Sequence, residues 1–128
     1  MQPRPDPATG TAREPIGALV ENLAAALAGS LLSACIPALI EAAEHHPEVA
    51  AFLHGYSADR RRTLVAAIRA GVDAGELPAH LDPELASLAL SGPAFYCRTM
   101  TPDPLTPDQA RRLVTQVLGP APEPVPGR

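Results

Sequence analysis

Apolar residues recur every three or four positions over most of the chain, which is the spacing that places them on one face of a helix. Five such segments occur, at 14–28, 30–45, 47–73, 82–99 and 107–118. The sequence contains no alternating run of β-branched residues and no Asn-Gly or Asp-Gly hairpin signal, so it predicts no strand. The pattern therefore predicts an all-α fold of five helices in one domain at 14–118.

Proline and capping residues support the predicted helix boundaries. Four prolines fall near predicted helix starts, where the missing N–H needs no helical partner: Pro15, Pro47, Pro83 and Pro107. Thr106 followed by Gln109 is a capping-box pattern. Gly75 fits the position just past the end of the third helix.

Several residues interrupt the predicted helices. Pro37 predicts a bend in the second helix, Pro93 predicts one in the fourth, and Gly55 leaves a break or kink in the third helix open. Residues 23–40 carry no charge over a length that can cross a bilayer. Because Gly29 and Pro37 interrupt this stretch, we interpret it as the end of one helix and the start of another, and we expect no membrane span.

The fourth predicted helix is apolar on nearly every side. Its sequence from residue 82 is DPELASLALSGPAFYCR, whereas a helix at the surface of a monomer keeps a polar face. Four other short helices cover only one side of it, and Ser91 with Gly92 lets another backbone approach closely. We therefore expect a homodimer in which the last two helices of two copies form a four-helix bundle.

The dimer hypothesis assigns specific residues to the interface. They are Leu85, Leu88, Ser91 and Gly92 in the fourth helix and Arg112, Leu113, Gln116 and Val117 in the fifth. Arg112 and Gln116 are four residues apart and suit hydrogen bonds at the rim of an apolar centre. The alternative for each of these residues is a place in the monomer core or on an exposed surface.

Composition and charge narrow the functional classes. Hydrophobic residues make up 46% of the chain, but many are alanine and aromatic residues are only 3%, so burial against a second chain would reinforce a thin core. The net charge of −4 argues against direct nucleic-acid binding, which requires a basic face. Arg60, Arg61 and Arg62 point in different directions on a helix and make no single patch.

Both ends of the chain are rich in proline. Residues 1–13 and 119–128 hold seven of the sixteen prolines and are predicted to be extended or disordered. The first residues lack the apolar segment of a signal peptide. Cys35 and Cys97 lie in apolar helical segments and are expected to be buried free thiols, which fits a cytoplasmic protein better than a disulfide does.

Motifs for catalysis, metal binding or cofactor binding are missing from the sequence. It contains no GxSxG, P-loop or GxGxxG pattern, and Cys97 has no histidine partner nearby in the chain. It also contains no HExxH pattern and no tight histidine and cysteine cluster. We therefore expect neither an enzyme nor a metal or cofactor site.

The order and spacing of several segments resemble the C-terminal domain of the TetR family of bacterial transcription regulators. The segments are HPEVAAFL, RAGVDAGEL, DPELA, GPAFY and RRLVTQVLG, preceded by PDPATGTAREPIGAL, and the resemblance covers roughly residues 5 to 119. It implies an all-α, dimeric domain that binds a small effector, with the last two helices at the dimer interface. It also implies an effector cavity among the other helices and the fourth one.

TetR-like regulators bind DNA with an N-terminal helix-turn-helix domain. Residues 1–13 are too short and too rich in proline to form a three-helix unit of that kind. We therefore expect no direct nucleic-acid contact by this chain, and contact with DNA only through an N-terminal domain that the sequence lacks.

The aromatic residues are the candidates for the effector site. Phe52, Tyr56, Phe95 and Tyr96 are expected to line an apolar pocket, with the tyrosine hydroxyls as its polar groups. His54 and Arg98 are further candidates for a polar or charged contact. The alternative is core packing for the aromatic residues and a solvated or capping role for His54 and Arg98.

The leading hypothesis is an effector-sensing and dimerisation domain that binds a small apolar molecule. The alternative is a helical interaction module that pairs with itself or with an intact regulator and has no ligand. A pocket filled by side chains would favour the alternative.

Overall fold

The computed structural model describes residues 12–120, except for the side chain of Leu32. Most of the two proline-rich tails, residues 1–11 and 121–128, lies outside the described residues. The five helices in the described part are α1 (Arg13–Gly29), α2 (Leu31–His45), α3 (Pro47–Asp73), α4 (Pro83–Met100) and α5 (Pro107–Leu118). The prediction of an all-helical fold is confirmed, and each helix boundary lies within one residue of its predicted place.

Side-chain caps begin three of the helices. Ser30 caps α2 by accepting from the Ser33 N–H at 3.1 Å. Asp82 caps α4 by accepting from Glu84 N–H at 3.0 Å. At α5 the predicted capping box is present, with Thr106 and Gln109 bonded to each other's backbone N–H groups at 3.0 and 3.1 Å.

The residues predicted to interrupt helices do not divide them. α2 continues through Pro37, α3 through Gly55, and α4 through Pro93. The helix break predicted at Gly29 is confirmed, and the direction of the chain changes there by 86° between α1 and α2. Beyond this turn α2 packs against α3.

The buried core lies at one end of the helical domain. It is formed by α1, the second half of α3, the loop that follows it, the first half of α4, and α5. Its buried side chains are Ile16, Val20, Ala24, Leu64, Ile68, Leu77, Ala86, Leu90, Ala110, Val114 and Leu118. In the described side chains of residues 31–63, Ser33 is the only buried one. The helix pair formed by α2 and the first half of α3 therefore lies outside the core. Because α2 lies outside the core, Cys35 is exposed, and Cys97 on α4 is only half-buried, so the prediction of buried thiols is wrong.

Helices α1 and α5 are joined at both ends of their contact. Arg111 of α5 forms an ion pair of 2.6 Å with Glu21 of α1. Arg13 at the start of α1 donates to the carbonyl oxygens of Gly119 at 2.5 Å and Pro120 at 3.2 Å, just past the end of α5. Burial lowers the pKa of the Arg13 guanidinium, which nevertheless stays protonated. The beginning of α1 and the end of α5 are thereby held together.

Gly71 allows a close approach at the end of α3. The chain turns back there through Gly75, whose φ of 76° is in the left-handed region, and Leu77 packs over the last turn. A Cβ atom built on Gly71 would lie 2.7 Å from Leu77 Cδ1 and 2.9 Å from Ala12 Cβ. A larger residue at position 71 therefore forces Leu77 and Ala12 to shift.

We predict that Gly71→Ala lowers the thermal unfolding midpoint, because overpacking of about 1–3 kcal/mol exceeds the helix-propensity gain of about 1 kcal/mol. Gly55→Ala is the matched control, since Gly55 is also inside α3 but has no atom within 4 Å of its built Cβ. That change is expected to raise the midpoint. Thermal denaturation followed by circular dichroism measures both, and a rise for Gly71→Ala would contradict the packing described here.

Candidate functional site

A cleft of about 380 Å³ lies between the α1–α2 turn and the end of α4. The residues that line it are Ala28, Gly29, Ser30, Ser33, Ala34, Cys97, Arg98, Thr101, Pro102 and Pro104. Its volume is near the lower limit for small-molecule sites in proteins. The cleft is thus a candidate site for a small ligand, at the junction between the core and the α2–α3 helix pair.

Arg98 is held in this cleft by Ser33. The Arg98 Nε–H donates to Ser33 Oγ at 2.7 Å, and Nη2–H donates to the Ser33 carbonyl at 3.1 Å. The Ser33 hydroxyl in turn donates to the Leu27 carbonyl at 2.5 Å. Ser33 is 3% exposed and its bond to Leu27 is buried, whereas its two bonds with Arg98 are partly buried; together they fix the guanidinium relative to α1 and α2.

The cleft is rich in hydrogen-bonding groups and carries one formal charge. Its polar side chains are the Arg98 guanidinium, the hydroxyls of Ser30, Ser33 and Thr101, and the Cys97 thiol, and no residue that lines it is acidic. An adjoining cleft shares Cys97, Thr101, Pro102 and Pro104 with it and contains Asp103. The positive charge of Arg98 is therefore not balanced by a carboxylate in the cleft that it lines.

The predicted aromatic residues lie elsewhere in the described structure. Phe52 and Tyr56 stack on α3 with ring centroids 6.3 Å apart, and Arg60 lies 5.7 Å from the centroid of the Tyr56 ring. Phe95 and Tyr96 lie on α4, and all four rings are among the exposed large hydrophobic side chains. Neither of the two clefts is lined by any of them. The second polar candidate, His54, is also exposed.

The surface of α4 opposite the core is apolar and uncovered in the single chain. Leu85 is 64% exposed and Leu88 is 50% exposed, whereas Ala86 and Leu90 are buried. Leu88, Gly92 and Tyr96 follow one another at intervals of four residues and share the exposed face. We call this face, from Leu85 to Tyr96, the α4 stripe.

The remaining interface candidates differ in their burial. Leu113 and Val117 are half-buried and pack against the core cluster. Arg112 and Gln116 are exposed, and Arg112 forms an ion pair of 3.1 Å with Asp108. The solvent-facing side of α5 therefore combines exposed polar side chains with the partly exposed side chains of Leu113 and Val117. Ser91 is half-buried, at the border of the α4 stripe.

The three consecutive arginines of α3 have separate partners. Arg60 lies over Tyr56, Arg61 donates to Ser57 at 2.7 Å, and Arg62 pairs with Asp59 at 2.8 Å. All these partners are on α3 itself.

The described residues were also compared with the patterns of metal sites and membrane-spanning helices. In residues 12–120, no group of three His, Cys, Asp or Glu side chains is arranged to hold a metal ion. No single helix of that range combines the length and apolarity of a membrane span. α1 and the Ser33–His45 part of α2 meet that criterion only when taken together across their 86° turn.

Sequence reasoning selected Arg98 but missed the serine that fixes it. Ser33 lies in the apolar segment LLSACIP, where one hydroxyl does not stand out. The available signal was Ser30, because a serine N-cap accepts from the backbone N–H two or three residues further on and so places Ser33 in the first turn of α2. The contact between Ser33 and Arg98 joins positions 65 residues apart, so local spacing does not reveal it.

Comparison with known proteins gives one match. The family model described as tetracyclin repressor-like, C-terminal domain, matches residues 6–117. Searches of curated proteins and of solved structures each found no match. The family match covers all the helices except the last residue of α5.

We predict that Ser33→Ala lowers the free energy of unfolding by about 1–3 kcal/mol, because Arg98 and Leu27 each lose a buried hydrogen-bond partner. Ser57→Ala is the matched control, since Ser57 also accepts from an arginine but at an exposed position. The control is expected to change stability by less than about 0.5 kcal/mol. Urea denaturation measures both, and equal effects would contradict a structural role for the buried serine.

Proposed function

Because the chain belongs to the tetracyclin repressor-like C-terminal domain family, we propose that it is the effector-sensing and dimerisation domain of a bacterial transcriptional regulator. Domains of this family are parts of transcription regulators, and no enzymatic activity is proposed. In this proposal the chain itself does not contact DNA. DNA binding is the role of a separate N-terminal helix-turn-helix domain.

The α4 stripe is the observation that carries the dimerisation part of the proposal. Its leucines are at least half exposed in the single chain, although α4 is buried on its opposite side. Each apolar square ångström removed from water contributes about 25 cal/mol, so covering several such side chains stabilises the assembly appreciably. A second copy is the natural partner, since a twofold axis places the same apolar stripe on both sides.

The residues around the stripe suit the rim of such an interface. Arg112 and Gln116 are exposed on α5, the helix that follows α4 and contacts it. Interfaces commonly surround an apolar centre with hydrogen-bonding side chains of this kind. Ser91 and Gly92 carry little bulk, which allows the α4 helices of two copies to approach closely.

The effector part of the proposal concerns the end of the domain that lacks a core. The α2–α3 helix pair exposes Phe52 and Tyr56, and α4 exposes Phe95 and Tyr96. We propose that these aromatic residues contact a small apolar effector. Its binding would favour one arrangement of the long helix α3 and of the dimer, and so change the spacing of attached DNA-binding domains.

One observation favours the alternative, a dimerisation module without a ligand. The four aromatic residues line neither of the two clefts, and their rings are exposed rather than gathered around a cavity. A module of this kind would pair with itself or with an intact regulator. Effector binding and dimerisation are therefore separate claims and need separate experiments.

We predict that the wild-type chain is a dimer in solution and that Leu88→Glu makes it a monomer, because a carboxylate in a desolvated interface has no partner. Leu88 suits the test better than Leu113, which packs against the core. The matched control is Ile40→Glu on α2, since Ile40 is 48% exposed and Leu88 is 50% exposed.

Light scattering coupled to size exclusion gives the mass of each form. The control is expected to remain a dimer, and circular dichroism shows whether both variants keep their helices. A wild-type monomer at high concentration would contradict the proposed dimer. A Leu88→Glu variant that remains dimeric would place the interface away from the α4 stripe.

A further inference from the structure

We propose that the cleft at the α1–α2 turn binds the carboxylate group of a small organic acid, with Arg98 as its charged partner. This inference rests on the proposed effector-binding function and changes the proposed effector from a purely apolar molecule to one with an apolar carbon chain and one carboxylate. It also places the polar end of the effector at residues other than the four aromatic candidates.

Arg98 has one edge occupied and one edge available. Its Nε–H and one Nη2–H bind Ser33, which uses the side edge of the planar guanidinium. A guanidinium has five N–H donors, so Nη1–H and the second Nη2–H remain at its end. No described residue accepts from Nη1. The two N–H groups at the free end of a guanidinium are placed to bind a carboxylate through two parallel hydrogen bonds.

The hydrogen bonds that fix Arg98 prepare it for a ligand. The Ser33 hydroxyl links the guanidinium to the Leu27 carbonyl at the end of α1, and Ser30 caps the same turn through the Ser33 N–H. An arginine that is already immobilised loses less rotamer entropy when a ligand binds. The bonds to Ser33 therefore favour ligand binding as well as the packing of α4 against the α1–α2 turn.

The electrostatics of the cleft favour an anion. No acidic residue lines it, and the cleft contains the start of α2, whose helix dipole is positive at that end. Three other arginines of the described chain, Arg62, Arg111 and Arg112, are paired with carboxylates. Asp103 lines the adjoining cleft and repels an anion there, so the Arg98 side is the favoured position.

The size and the remaining lining of the cleft indicate an organic acid. A single guanidinium neutralises a monocarboxylate, whereas a phosphate dianion needs additional donors or cations. Ala28, Ala34, Pro102 and Pro104 supply apolar wall next to the polar groups. A volume of about 380 Å³ accommodates a short carbon skeleton attached to the carboxylate.

The test compares hexanoate with probes that lack its charge or its carbon chain. Methyl hexanoate and 1-hexanol keep the chain without the charge, and inorganic phosphate supplies charge alone. Each is titrated into the ¹⁵N-labelled full chain, and backbone amide shifts report where it binds. The variants are Arg98→Gln, Arg98→Lys and the control Arg69→Gln, since Arg69 is exposed on α3 outside the cleft.

We expect hexanoate to shift the amides of Ser33 and Thr101 and to bind more tightly than the ester or the alcohol. Arg98→Gln is expected to weaken hexanoate binding by about 10- to 100-fold, the range for one charged hydrogen-bonding partner. Arg98→Lys keeps the charge and is expected to lose less. Arg69→Gln is expected to bind as the wild type does, and well-dispersed spectra show that each variant is folded.

Three outcomes would overturn the carboxylate proposal. If the ester or the alcohol binds as well as hexanoate in the wild type and in Arg98→Gln, effector binding stands but the charged subsite is wrong. If phosphate competes equally with hexanoate at the same amides, the cleft is a general anion site and the organic-acid class is wrong. If no probe shifts any amide, the effector-sensing part of the proposed function also loses support, while the solution mass still decides the dimer.

Discussion

The structure depends on α4 because this helix is apolar on two opposite sides, one buried in the core and one exposed. Ala86, Leu90 and Ala94 are buried, and α4 packs against α1, α3 and α5. The opposite side presents Leu85, Leu88 and Tyr96, for which the described chain supplies no cover. One helix thus belongs both to the core of a single chain and, in the proposed dimer, to the contact between two chains.

The contacts of α1 connect the proposed dimer helices to the rest of the domain. Arg13 and the Arg111–Glu21 pair hold α1 against α5. The other end of α1 leads to the 86° turn and the cleft beside Arg98. The cleft therefore lies where α1, α2 and α4 meet, between the packed core and the α2–α3 pair. Among its described residues before Leu64, that pair has no buried apolar side chain. Movement of that pair costs less than movement inside the core, because few buried contacts resist it.

The helices were predictable from the sequence because each one is specified locally. Proline at the helix starts, the caps at Asp82 and Thr106, and the three- and four-residue apolar spacing act over a few residues. The exposed side of α4 was also predictable, since a helix with apolar residues on every side exceeds the burial that one small chain provides. The contact between Arg98 and Ser33 and the exposure of Phe52 depend on how α2 packs. Gly29 marks the break before α2, but no local signal gives the 86° angle of that turn. An apolar stripe on α3 predicts burial but does not indicate which helix covers it. For this reason the sequence did not show that the cleft lies away from the aromatic residues.

The most direct test of the central claim is hydroxyl-radical footprinting of the wild-type chain over a range of protein concentrations. Because a second copy covers the α4 stripe in the proposed dimer, we expect oxidation of Leu88 and Tyr96 to fall as the concentration rises. Phe52, which is 63% exposed and lies on the α2–α3 pair, should be oxidised equally at every concentration. Oxidation of the α4 stripe that stays high and independent of concentration would contradict the account, because it would show that this apolar face remains in water.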